Sequence, residues 1–205
     1  MKLRITLCVL ASFLFIGIPV ANADGLRILS GIYSTEIGDD SDMMIGVTFT
    51  GDEVGDFAGG MTWGYDLKLT TSLGDFGPAD GPGVGFRFWP SIKHELNDGM
   101  CLKIGFEYLA SSVGDDFGGS YSGLGGKIAF EQDWDDSFLH IGFGFNSGDS
   151  ENYFSGSEGE DDLSTFDLMY GIKGEEYTYG LDIQRISADV GADVNFTGVF
   201  MATDW

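Results

Sequence analysis

The chain has 205 residues, 33 acids against 10 bases, and a formal net charge of −23. It also carries 33 glycines, and 14% of its residues are aromatic. A disordered acidic tail is excluded, because such chains lack aromatic and β-branched residues. A nucleic-acid partner is excluded by the shortage of bases, and a disulfide scaffold by the presence of only two cysteines.

In chain order, the first segment reads as an export signal. Lys2 and Arg4 precede an apolar run from Ile5 to Val20, and Ala21-Asn22-Ala23 has the small-x-small pattern of a signal-peptidase site. Residues 1–23 are therefore expected to be removed, leaving one domain over residues 24–205 with a net charge of −25. Cys8 sits inside the apolar run without a lipoprotein box, so no lipid anchor is expected. Cys101 then stands alone.

The remainder alternates with period two. Met61, Trp63, Tyr65, Leu67 and Leu69 face one way, against Thr62, Gly64, Asp66, Lys68 and Thr70. The same pattern sets Val84, Phe86, Phe88, Pro90 and Ile92 against Gly85, Arg87, Trp89, Ser91 and Lys93. It recurs from Met100 to Tyr108, from Leu139 to Phe145 and from Phe166 to Ile172. Alternation of this kind marks half-buried strands. It predicts ten strands, near 26–36, 43–51, 59–73, 84–96, 100–112, 121–132, 137–147, 164–173, 177–188 and 194–204. Short turns are expected at Asn97-Asp98-Gly99, with Gly99 at positive φ, at Asp133 to Asp136, and at Gly174-Glu175 as a two-residue turn pairing Lys173 with Glu176. Residues 74–83, 113–120 and 148–163 read as long Gly/Asp/Ser-rich loops. Short turns at one end and long loops at the other describe an outer-membrane barrel with its turns in the periplasm. The 51–58 connection is too long for that scheme.

Both soluble and membrane barrels alternate, so the charges must decide which face is inside. Of the eight bases after residue 23, seven (Arg27, Lys68, Arg87, Lys93, Lys103, Lys127 and Lys173) lie opposite the large apolar residues. Asp66, Glu107, Glu131, Asp167 and Asp182 share that parity. A charge facing lipid at the midplane costs about 2–4 kcal/mol, so this parity is assigned to the lumen. Lys68, Arg87, Lys93, Lys103, Glu107, Lys127, Glu131, Asp167 and Asp182 form a candidate lumen charge network. Ten glycines on the same parity fit a narrow interior. A closed antiparallel up-and-down transmembrane barrel is expected, with a soluble lipocalin-like binding barrel as the alternative.

The chain ends Val199-Phe200-Met201-Ala202-Thr203-Asp204-Trp205. Val199, Met201 and Trp205 share one parity, and the terminal aromatic resembles the signal that outer-membrane barrels present to the barrel-assembly machinery. Thr203 departs from the usual apolar series. With the export signal, the chain resembles small monomeric Gram-negative outer-membrane β-barrel proteins of the OmpA/OmpX and opacity type. That resemblance implies an outer-membrane location, lipid and lipopolysaccharide as surroundings, and no cofactor.

No catalytic grouping stands out. His140 lies on the lumen parity and His94 on the apolar one, both near the turn end. Glu107 and Glu131, beside Lys127 and Lys103, read as salt-bridge partners rather than an acid/base pair. Asp149, Glu151, Glu158, Glu160, Asp161 and Asp162 form an oxygen-rich loop suited at most to weak divalent-cation binding, or to sharing cations with lipopolysaccharide phosphates. The expected role is non-enzymatic: a small porin-like channel or a structural surface protein. An adhesion role resting on Tyr153 and Phe154 is the alternative.

Overall fold

The computed structural model describes residues 24–35, 41–74, 82–113, 119–152, 155, 157–189 and 193–203. The segment read as an export signal lies outside them, as do Tyr153, Phe154 and Trp205. Ten strands follow in order: β1 (Gly25–Thr35), β2 (Ser41–Phe57), β3 (Met61–Ser72), β4 (Gly83–Asn97), β5 (Met100–Val113), β6 (Gly119–Asp133), β7 (Ser137–Asn152), β8 (Ser157–Lys173), β9 (Thr178–Ala188) and β10 (Val194–Thr203). Each pairs antiparallel with its sequence neighbours, and β1 closes on β10 from Leu26↔Thr203 to Thr35↔Val194. A closed ring leaves no edge along the wall.

The wall is inside out relative to a water-soluble barrel. Phe106 and Phe145 are 71% and 73% exposed on its outer surface, while Glu107 and Asp182 are 0% exposed within. Ile28, Ile32, Leu124, Ile172 and Val199 extend the outer apolar belt. At the turn end, Trp63, Trp134, Tyr170, Tyr177 and Tyr179 project outward, where ring amphipathicity suits a lipid–water boundary. Tyr65 and Leu67 are exceptions in appearance only: both lie on the outer parity but are covered, Tyr65 by Phe88 and the close Gly51 backbone, Leu67 by its register neighbours Phe49 and Phe88.

Tight turns join β2–β3, β4–β5, β6–β7 and β8–β9 at the end that also holds both barrel termini. Gly99 adopts φ +77° at the β4–β5 turn, as the sequence requires. A bulge between Glu95 and Asn97 shortens the three-residue loop to Asp98-Gly99. The β8–β9 turn differs from expectation. Gly174 donates its N–H to the Tyr177 carbonyl at 2.8 Å, and Lys173 pairs with Thr178. Glu175 and Glu176 therefore make the bend. The displacement is two residues, so both strands keep their faces.

Two stretches expected to be loops are strand. Residues 51–57 continue β2 past a bulge, where Gly51↔Tyr65 is followed by Gly55↔Trp63. Four residues advance on β2 against two on β3. Most of 148–163 prolongs the β7–β8 hairpin, paired from Ser147↔Asp162 to Asn152↔Ser157. The β8–β9 ladder reaches up only to Leu163↔Ala188. One side of the rim is thus raised, and Ser157–Asp161 of β8 has no ladder partner on its β9 side among the described residues.

Candidate functional site

The lumen is the place where this chain gathers its chemistry, and it is layered. Its middle layer is a buried ion-pair network. The Arg87 guanidinium donates to both carboxylate oxygens of Asp167, at 2.8 and 3.0 Å, and its Nε lies 3.3 Å from Glu107 Oε1. Lys127 Nζ also pairs with Asp167 and lies 3.4 Å from Glu107 Oε1. Asn146 Nδ2 and Thr165 Oγ1 donate to Glu107 Oε2 at 2.8 and 3.3 Å. Beside them, Lys68 Nζ pairs with Asp182 Oδ2 at 3.2 Å, and Gln184 Nε2 donates to both oxygens of the same carboxylate. Charges removed from water persist when they are paired and hydrogen-bonded. Here charge-assisted hydrogen bonds and polar neighbours meet that condition.

The strands position this layer by alternation, and glycines make room for it. A Cβ at Gly144 would stand 2.8 Å from Glu107 Oε2, and one at Gly142 would stand 3.0 Å from Lys127 Cε. Lys127 Nζ also sits 4.6 Å from the centre of the buried Trp89 ring, close enough for a cation–π contact.

Nearer the turns is a second cluster. Lys103 Nζ pairs with Asp52 Oδ1 at 2.6 Å and Glu131 Oε2 at 3.0 Å. His140 Nδ1 meets Glu131 Oε1 at 2.8 Å, Cys101 Sγ lies 3.5 Å from Glu131 Oε2, and Lys93 Nζ is 3.5 Å from Glu53 Oε1. The β2 bulge delivers Asp52 and Glu53 to this layer. Gly64 lets the bulge approach, since a Cβ there would lie 2.8 Å from the Asp52 carbonyl oxygen.

A third region is apolar: Leu29, Tyr33, Phe138, Met169, Phe196 and Phe200 line the β1–β10 side. The Arg27 guanidinium rests over the Phe200 ring and contacts the Met169 sulfur. The charged layer lies between two cavities. One, of about 360 Å³, lies on the loop side and reaches down to Lys68 and Arg87. The other, of about 170 Å³, lies on the turn side between Asp52, Lys93 and Glu131. They share no lining residue.

The nine residues of the candidate charge network divide between these two charged layers. Lys68, Arg87, Glu107, Lys127, Asp167 and Asp182 occupy the middle, and Lys93, Lys103 and Glu131 the turn side. Sequence reasoning missed Asp52, Asn146, Thr165 and Gln184. Parity identifies the last three as lumen residues, but neutral polar side chains carry no signal of their own. Asp52 was hidden by the bulge.

His94 is exposed on the outer wall near the turns. The eighth base, Arg185, lies on the outer parity near the raised rim. Its guanidinium donates to Asp193 Oδ2 at 2.6 Å, and that hydrogen bond holds the Asp193 carboxyl below the usual carboxylate range. Asp149, Glu151, Glu158, Glu160, Asp161 and Asp162 are on paired strands rather than in a loop, with Asp149↔Glu160 and Glu151↔Glu158 facing each other. Asp161 is buried, and among the described residues no His/Cys/Asp/Glu group is arranged to hold a metal. Val199 and Met201 project outward from β10.

No protein-family model matches the chain, and no curated protein matches it. Among solved structures the barrel is similar to the KdgM porin, at 10% identity over 85% of this chain and 97% of that one, with a TM-score of 0.40. It is also similar to the N-terminal β-barrel domain of Pseudomonas aeruginosa OprF, at 10% identity over 88% and 98%, with a TM-score of 0.35. A third likeness is to the CymD monoaromatic hydrocarbon channel, at 11% identity over 89% and 67%, with a TM-score of 0.32. These likenesses concern the fold alone. The chain itself is a closed ten-stranded antiparallel barrel with an apolar outer wall and a charged interior.

Proposed function

We propose that this protein is a non-enzymatic integral outer-membrane barrel, porin-like in its wall and closed to ions at mid-height. The observation that carries the reading is the buried layer of Arg87, Glu107, Lys127 and Asp167 between two cavities with no lining residue in common. An ion crossing it must displace pairs that already satisfy one another. Planar-bilayer recording of refolded protein tests this. Wild-type barrel is expected to give no steady steps. Arg87→Ser combined with Asp167→Ser, which removes one charge of each sign and two bulky side chains, is expected to give them. Steady porin-sized steps from the wild type would overturn the closed reading.

On this reading the turns face the periplasm and the raised β7–β8 wall faces outward among lipopolysaccharide. The facing carboxylates Asp149↔Glu160 and Glu151↔Glu158 repel one another. Divalent cations shared with lipid phosphates would relieve them. The expected result is that EDTA lowers the barrel's unfolding midpoint in lipopolysaccharide-containing bilayers, and that Mg²⁺ restores it. The same treatment should do little in bilayers without lipopolysaccharide. A midpoint indifferent to both reagents in lipopolysaccharide would remove the cation bridge. The outward-facing Val199 and Met201, with Trp205, are the residues we assign to recognition by the assembly machinery.

A further inference from the structure

The loop-side cavity differs in kind from the rest of the lumen. Below it the interior is charged, yet its own wall is built from Met44, Leu109, Leu163, Ile186, Val194 and Phe196. A lumen that needed only to be filled would close over such side chains, because protein interiors pack to near-crystalline density. Here a space of about 360 Å³ remains among the described residues. An apolar cavity of roughly 150 Å³ already admits benzene, so this one has room for a two-ring molecule.

The Tyr121 ring also lines the cavity from β6, while its hydroxyl is buried against Gly123 and adds no polar surface to the open space. The cations of the floor are already engaged: Lys68 pairs with Asp182, and Arg87 pairs with Asp167 and Glu107. Glu151 and Asp161 also line the cavity and disfavour an anion.

We propose that the loop half of the lumen is a binding site for a neutral, compact, mostly apolar molecule held against its apolar wall. Apolar walls with a few placed polar groups are the usual construction of small-molecule sites. The site takes its ligand from the loop side and holds it above the ion-pair floor, so binding requires no passage through the barrel.

The test uses refolded barrel in lipid nanodiscs, 2-naphthol and naphthalene as probes, and methyl NMR as the readout. Saturable shifts of the Leu109, Leu163 and Ile186 methyls are expected with both probes. Leu109→Trp fills the cavity and should abolish them, with Ile186→Phe as a second filling variant if the first does not migrate as a folded barrel. Shifts confined to the outer-wall residues Ile104, Leu124 and Val199, or shifts that persist in both filling variants, would mean partition into lipid and overturn the site. Tighter binding of 2-naphthoate than of 2-naphthol would overturn the neutral class. The inference rests on the closed-lumen reading, and the two fail separately. Wild-type conductance removes that reading, whereas a non-conducting barrel without saturable shifts removes only this site.

Discussion

Asp167→Ala is expected to lower the unfolding free energy of the refolded barrel by about 3–5 kcal/mol, the usual cost of stripping one partner from a buried ion pair. The effect is large because Asp167 serves two cations. It takes both the Arg87 Nη1 donor, shared between its two oxygens, and the contact from Lys127. Without it, two buried bases share Glu107 alone. Asp167→Asn keeps the volume and should lose nearly as much, which separates charge from packing. Replacing all four charges together, as Arg87→Met, Lys127→Met, Glu107→Leu and Asp167→Leu, should recover most of the loss, since a matched apolar set leaves no stranded charge. Urea unfolding in lipid vesicles, followed by tryptophan fluorescence, measures each variant. A loss below about 1 kcal/mol for Asp167→Ala would mean that lumen water solvates the cations, in the manner of an exposed pair.

Gly125→Val is expected to prevent stable closure of the wall, a loss beyond the ~4–5 kcal/mol that single substitutions rarely exceed. A Cβ at Gly125 would fall on the Phe145 carbonyl oxygen and stand 2.6 Å from the Asn146 Cα. Backbone cannot rotate away as a side chain can. Strand β7 would have to leave β6, and Asn146 would leave Glu107 with it. The neighbouring Gly126 is the control. It faces outward with nothing within 4 Å of its Cβ position, so Gly126→Val should be neutral or mildly stabilising. Heat-modifiable migration on gels reads both. A folded band of normal intensity from Gly125→Val would show that the β6–β7 spacing yields more than its glycine suggests.

These two sites also show what period-two reading can and cannot reach. Arg87, Lys127, Glu107 and Asp167 were assigned to the lumen because each stands opposite large apolar neighbours on a strand whose two faces meet different media. The exact partners were not legible, because pairing across a barrel depends on stagger between distant strands. Asp52 escaped for a local reason: the bulge after Gly51 breaks the alternation that would have given its direction. The 148–163 stretch escaped for a broader one. Above the lipid both faces of the sheet are wet, so β7 and β8 continue as strands while their apolar signature stops. Gly125 is one of the ten glycines on the lumen parity, yet its hydrogen is less a saver of lumen space than what allows the adjacent strand to lie so near. Leu109, Leu163 and Ile186 share the lumen parity with the charges, and only their height separates a cavity wall from an ion-pair floor.

Where β8 outruns β9, Ser157–Asp161 presents backbone donors and acceptors that no ladder on that side consumes among the described residues. Such a row is a template on which a second strand can grow, a strand from another copy of this chain included. This row carries Glu158, Glu160 and Asp161, with Asp149 and Glu151 on the adjoining strand. Two copies meeting there would set carboxylate against carboxylate along the whole contact. Part of the chain's acidity therefore acts as a spacer between neighbours, keeping a raised, half-finished sheet from recruiting its own kind.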